Sequence, residues 1–158
     1  MRTPLLPLRA FITGIKPEAR DVKTYRLSLT NAVYNAKPGQ FNMVGYPGVG
    51  EAPISLSSVV SQGEFHHTIK SVGRVTGFIN RFEEGDELFL RGPYGSGWPL
   101  NDAVGKDILL VAGGVGLAPI RPVIQEILSR SDSFGHVTLI CGARNPAETV
   151  SLLMLKRI

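Results

Sequence analysis

Along the first hundred residues, apolar and polar positions alternate in short runs separated by turn residues. The alternation is clearest in Val22-Lys23-Thr24-Tyr25-Arg26-Leu27-Ser28-Leu29, and again in Phe65, His67 and Ile69. A two-residue period belongs to strands with one buried face. Six segments rich in β-branched and aromatic residues are predicted as strands: 8–15, 22–29, 40–46, 54–60, 64–72 and 87–91. Lys37-Pro38-Gly39, Pro47-Gly48, Gln62-Gly63 and Gly85-Asp86 separate them with turn-forming residues. Six short, closely spaced strands predict an antiparallel barrel or sandwich. One segment departs from this period. Val75, Phe78, Ile79 and Phe82 fall at i, i+3, i+4 and i+7, which predicts a short helix capping one end of a barrel.

After a loop rich in Gly and Pro (92–105) the pattern changes. Asp107-Ile108-Leu109-Leu110-Val111-Ala112 is a continuous apolar strand, expected of a parallel sheet buried on both faces. Gly113-Gly114-Val115-Gly116-Leu117-Ala118-Pro119 follows, and Ile120, Val123, Ile124, Ile127 and Leu128 mark one face of a helix. Pro119 and Pro122 are tolerated in or near its first turn. A second strand at 137–141 completes a βαβ unit. The expected fold is a six-stranded antiparallel β-barrel with one capping helix, then a partial α/β Rossmann-like nucleotide-binding domain. The boundary falls near 100–106, giving a barrel domain over 1–100 and the start of a second domain over 101–158.

Composition narrows the partners. The 17 Lys and Arg against 13 Asp and Glu leave a formal charge of +4. The basic residues are scattered and no run is interleaved with stacking aromatics, so nucleic acid is not an expected partner. A phosphate-bearing cofactor or an acidic redox partner needs only a few such charges. No stretch approaches the roughly 20 apolar residues of a membrane-spanning helix. Pro4 and Pro7 break the N-terminal apolar run that a signal peptide requires. The single cysteine, Cys141, forms no internal disulfide and holds no iron–sulfur cluster by itself. A cytoplasmic protein is expected.

The sharpest candidate site is the glycine run 113–116. Glycines after a strand let the backbone turn tightly and approach a pyrophosphate, and the following helix presents free N–H groups. A plain strand-to-helix turn is the other reading. The spacing differs from the Gly-x-Gly-x-x-Gly fingerprint, and no acidic residue ends the 137–141 strand to hold a ribose. At Val72-Gly73-Arg74-Val75-Thr76-Gly77 a strand again enters a helix through glycine, with the Thr76 hydroxyl and Arg74 guanidinium nearby. A capped helix with a solvated arginine would look the same. Ser55 and Ser57 are placed on one face of their strand, for a heterocycle edge or for cross-strand neighbours. His66 and His67 are adjacent, so their rings point to opposite faces and cannot chelate one metal; one could face a cofactor. Cys141 is expected as a small buried strand residue. Trp98 is expected to cover the domain junction, stack on adenine or simply pack.

The motifs together are more specific than any one. Pro53-Ile54-Ser55-Leu56-Ser57-Ser58, Gly73-Arg74-Val75-Thr76 and Gly92-Pro93-Tyr94-Gly95 precede Ala112-Gly113-Gly114-Val115-Gly116-Leu117-Ala118-Pro119 and Cys141-Gly142-Ala143-Arg144. In this order and spacing they resemble the ferredoxin–NADP reductase superfamily, over about residues 8–148. Within it the chain is similar to electron-transfer subunits, such as the gamma subunit of sulfhydrogenases and its counterpart in anaerobic sulfite reductase. The resemblance implies FAD against the first motif with its pyrophosphate at the second, and NAD(P) at the glycine run. Carried over, Pro53, Ile54, Ser55, His67, Ile69, Lys70, Gly73, Arg74, Val75 and Thr76 become flavin-site candidates. Gly114, Val115 and Gly116 become nucleotide candidates, with Arg144 at the adenosine end.

The implied activity is hydride transfer between NAD(P)H and FAD, then electron passage to an iron–sulfur protein or to hydrogenase or reductase subunits of a hetero-oligomer. Such transfer needs no side-chain acid or base; the protein binds, orients and tunes the cofactor. Two departures qualify this. The family's Arg-x-Tyr-Ser/Thr is replaced at Ala52 and Ile54, so weaker flavin binding is expected. The family also continues with further strands and, in these subunits, a [2Fe–2S] cysteine cluster, whereas residues 149–158 do not read as its usual continuation. A C-terminally truncated chain without its own iron–sulfur cluster, and a poor NAD(P)H oxidase alone, is therefore expected. The alternative is a non-catalytic cofactor-holding or assembly subunit without a complete NAD(P) site.

Overall fold

The computed structural model describes residues 6–29 and 34–144. The described elements follow in the order β1 (Leu8–Ala19), β2 (Val22–Leu29), β3 (Phe41–Tyr46), β4 (Gly50–Ser55), β5 (Glu64–Lys70), α1 (Arg74–Ile79), β6 (Glu87–Tyr94), β7 (Ile108–Gly113), α2 (Arg121–Ser129) and β8 (Val137–Gly142). The first six strands form one antiparallel sheet in the order β4-β3-β6-β1-β2-β5. The last two form a parallel pair.

Alternation builds the barrel. Tyr25 and Leu27 of β2, and Phe65 and Ile69 of β5, point inward and are at most 3% exposed, while Arg26 between them faces solvent. Ile12, Val44, Leu56, Leu88 and Leu90 complete the core, and α1 drops Ile79 into it. Each such side chain contributes about 1.5–3 kcal/mol of hydrophobic stabilisation.

The sheet curls into a barrel but its ladder does not close. β4 and β5 remain edges, joined by a bridge between Leu56 and His67 and by the Ser57 N–H donating to the His66 carbonyl at 2.8 Å. The expected strand at 54–60 is thus displaced to Gly50–Ser55. After Ser55 the Leu56 N–H still donates to the Gln40 carbonyl at 3.0 Å, in register with β3, and the chain then crosses to β5 through Ser57. Pro53 is accommodated because β4 is an edge strand, where a missing N–H leaves no partner unpaired.

The parallel pair differs from expectation in its cover. Leu110, Ala112 and Leu139 pack under Leu117, Ile120 and Ile124. On the other face Leu109, Val111 and Ile140 are each more than half exposed. Among the described residues this sheet is buried on one face only. The helix also starts later than the pattern predicts. A 3₁₀ helix, Gly114–Ile120, precedes α2, because Pro119 has no N–H to donate and restrains the residue before it. Among the described residues no helix is long and apolar enough to cross a membrane.

Candidate functional site

Two predicted motifs meet at the barrel seam. β4 brings Pro53, Ile54 and Ser55 to one edge, and β5 runs along the other to Lys70 before the chain enters α1 through Gly73. Pro53, Lys70, Gly73 and Arg74 are exposed; Ile54, Ser55 and Val75 are half-buried. A Cβ built on Gly73 meets nothing within 4 Å, so its backbone lies bare. Lys70 pairs with Asp21 at 3.5 Å. Arg74 leans back over the β3–β4 turn, its Nη2 donating to the Val49 carbonyl at 2.6 Å. Thr76 is buried, and its Oγ1 accepts the N–H groups of Val72 at 3.0 Å and Gly73 at 3.1 Å. Its hydroxyl therefore shapes the turn and does not reach outward to a ligand, contrary to expectation.

His67 and Ile69 depart from their predicted place. Both lie on the inner face of β5, at 0% and 3% exposure, so neither side chain can touch a ligand outside the barrel. The strand period that puts Phe65 in the core puts them there too. His67 Nδ1 lies 2.8 Å from the Ser55 carbonyl, and its Nε2 lies 2.9 Å from Asn42 Nδ2. The Tyr34 hydroxyl donates to Asn42 Oδ1 at 2.8 Å. Burial pushes the His67 imidazole down to about 4 and the Tyr34 phenol up to about 12. His66 does face the opposite way. Its pKa is lowered by burial and then by the cations Arg121 and Arg26. Ser55 and Ser57 do not share a ligand face either: Ser57 is buried and accepts the Thr68 hydroxyl at 2.9 Å. Asn42 and Tyr34 escaped sequence reasoning, although an asparagine inside the apolar run Phe41–Tyr46 was a legible signal.

The second candidate region is the C-terminal edge of the parallel pair, where Gly113 sits beside Gly142. Gly114 has φ +52, a left-handed conformation that favours glycine. Positions Gly114, Gly116 and Gly142 have nothing within 4 Å of a built Cβ, and Val115 is exposed beside them. Arg144 is exposed just beyond β8. Cys141 is exposed rather than buried, with its thiol pKa raised by partial desolvation. The 3₁₀ helix that carries the glycine run packs against β5, which links the two regions.

Polar contacts hold the junction. The Arg121 Nη1 lies 3.6 Å from Glu18 Oε1, and the Val59 N–H donates to Gln125 Oε1 at 2.9 Å. Burial lowers the Arg121 pKa and Glu18 opposes that shift. No sequence motif announced these residues. Trp98 lies at the same junction, against Gly39, in a cavity of about 550 Å³ that Lys37, Glu126 and Arg130 also line. Among the described residues no group of three or more His, Cys, Asp or Glu side chains is placed to hold a metal ion.

Residues 110–157 match the family described as an oxidoreductase NAD-binding domain. That match takes in residues 149–157, so they do continue the family pattern, against the expectation from their sequence; they lie outside the described residues. The chain is 44% identical over 109 residues to sulfhydrogenase 1 subunit gamma of Pyrococcus furiosus, covering 68% of this chain and 37% of that protein. It is 40% identical over 143 residues to a probable dihydroorotate dehydrogenase B (NAD(+)) electron transfer subunit of Methanocella arvoryzae, covering 90% and 50% respectively. A mutant of ferredoxin–NADP+ reductase from Plasmodium falciparum superposes with a TM-score of 0.83 at 22% identity, over 99% of this chain and 66% of that one. The chain therefore spans about half the length, or less, of these curated relatives.

Proposed function

We propose that this chain, which has the fold of ferredoxin–NADP+ reductase and matches the oxidoreductase NAD-binding family over residues 110–157, is the cofactor-binding part of a flavoprotein electron-transfer subunit. Residues 1–100 hold FAD on the barrel, and residues 101–158 supply the first part of an NAD(P)-binding domain. Electrons pass between NAD(P)H and an iron–sulfur partner within a hetero-oligomer. The observation that carries the reading is the bare glycine backbone at both predicted pyrophosphate positions, Gly73 on the barrel and Gly114–Gly116 beside β8.

The residues present fit such a group. At Gly73 no Cβ obstructs close approach of a phosphate, and Arg74 and Lys70 stand at the surface to offset its charge. Pro53, Ile54 and Ser55 present a shallow edge on which a planar ring can lie. Ala52 and Ile54 supply neither a charged nor an aromatic contact, so the edge holds the ring through backbone and aliphatic surface. Gly114 and Gly116 play the part of Gly73 for the nucleotide, and Arg144 faces its far end. When bound, the flavin supplies the hydride acceptor and the one-electron outlet; this chain binds and orients it.

Anaerobic addition of NADH, and separately of NADPH, to FAD-loaded protein tests the reading. Loss of the oxidised-flavin absorbance with either, at whatever rate, supports it. Flavin that dithionite bleaches but neither nicotinamide does would refute the transfer and leave the cofactor-holding role.

A further inference from the structure

The barrel interior holds a polar chain among hydrocarbon and aromatic side chains. It runs from the Tyr34 hydroxyl to Asn42, from Asn42 to His67, and from His67 to the Ser55 carbonyl. A carbonyl only accepts, so the proton sits on Nδ1 of His67 and Nε2 carries a lone pair. Asn42 must then donate through Nδ2 to Nε2, which leaves its Oδ1 to accept the Tyr34 hydroxyl. This arrangement satisfies every member of the chain. His67 and Asn42 have no exposed surface, and Tyr34 is 5% exposed. The ring of Tyr34 stacks on Phe65 at 4.4 Å between centroids, and Phe65 meets the His67 ring edge-on at 5.7 Å. A Cβ at Gly92 would collide with Asn42 Oδ1, so glycine there leaves room for the asparagine.

A leucine would fill this space without the desolvation that imidazole and carboxamide suffer. The polar groups are instead directed at one atom, the carbonyl of the last β4 residue. That atom lies beside the Leu56–His67 bridge, where β4 ends and the barrel seam is pinned to β5. We propose that His67 is a positioning residue. Its Nδ1–H bond to Ser55, backed by Asn42 and Tyr34, sets the height of the Pro53–Ser55 edge against β5, and with it the geometry of a flavin lying on that edge. The flavin half of this proposal rests on the function proposed above; the seam half does not.

The test compares wild type, His67→Leu, His67→Gln and Leu88→Ala. Leu88 is a fully buried residue of β6 and reports a general loss of core stability. In flavin-free protein, hydrogen exchange at the Leu56 and Ser57 amides should quicken about tenfold more in His67→Leu than in Leu88→Ala, as expected when one directed hydrogen bond is lost. With FAD added, His67→Leu should bind it about tenfold more weakly and shift the flavin midpoint potential. His67→Gln, whose side-chain amide can donate to Ser55, should restore both towards wild type. Leu88→Ala should leave the potential in place. Equal seam exchange in His67→Leu and Leu88→Ala overturns the proposal whether or not flavin binds. Unchanged affinity and potential in His67→Leu overturns the flavin half while the flavin reading itself survives. Wild-type protein that takes up no FAD sinks that reading instead, and the exchange result still decides the seam.

Discussion

The barrel and the parallel pair are both built from apolar strands, yet they cover them differently. In the barrel the side chains of Ile12, Leu27, Val44, Phe65, Leu88 and Leu90 meet across a common interior and are almost fully buried. In the pair, the 3₁₀ helix and the start of α2 cover one face, and Leu109, Val111 and Ile140 stay open on the other. The barrel carries its own core. The pair draws its cover from the 3₁₀ helix and α2 that follows it, which is fixed to the barrel through Arg121 and Gln125. The proposed flavin edge thus rests on the enclosed region and the nucleotide edge on the half-covered one. Local openings should be more frequent around the glycine run than around β2 and β5.

The largest effect should come from the barrel core. Phe65→Ala is expected to lower stability by about 3–5 kcal/mol, the range for truncating a buried phenylalanine. Urea unfolding measures it. A loss under about 1 kcal/mol, the ordinary effect of a point substitution, would show that the barrel is not the enclosed body described here.

Acid should act on the same region next. The His67 pKa lies near 4 in the folded protein, below the ordinary 6.5. Between those values the unfolded chain holds a proton that the folded chain does not. The His67 contribution to stability therefore falls as pH drops from 6.5 to about 4 and is constant below, where the folded state protonates too. The shift corresponds to about 3 kcal/mol. His66, also lowered, adds in the same direction. Urea midpoints at stepped pH should show this slope in wild type and a shallower one in His67→Gln. Identical slopes would contradict the account.

The two glycine sites should separate conformation from clearance. Gly114→Ala places a side chain at φ +52 and should cost about 1–2 kcal/mol. Gly73 is extended, at φ −149, a conformation any residue adopts, so Gly73→Val should change stability little while weakening FAD. Thermal unfolding of both variants checks the pair; equal losses would erase the distinction. Smallest of all, Leu109→Ala on the open face should stay within about 0.5 kcal/mol of wild type. A larger loss would mean that this face is covered in the folded protein.

Much of this was legible in the sequence, and the reasons for the rest are physical. Strand period located β2 to the residue, and the change to a continuous apolar run located β7. The same period places His67 and Ile69 in line with Phe65, inside the barrel; the family motif drew them to the flavin site against it. Sequence adjacency also suggested an outward Thr76, but its hydroxyl is taken by the N–H groups of its own turn. The displaced β4 depends on where the chain leaves β3 for β5, at Leu56 and Ser57, a pairing between separate segments that local pattern does not encode. The junction of Arg121 with Glu18 is of the same kind.

Flavin content is the most direct measurement. Purified protein, as isolated or after incubation with FAD and gel filtration, is denatured by heat and the released compound is identified by mass. Non-covalent FAD, equimolar with the chain in wild type and depleted in Gly73→Val, is the predicted result. Colourless wild-type protein that takes up no added FAD would contradict the assignment of the barrel as a flavin site.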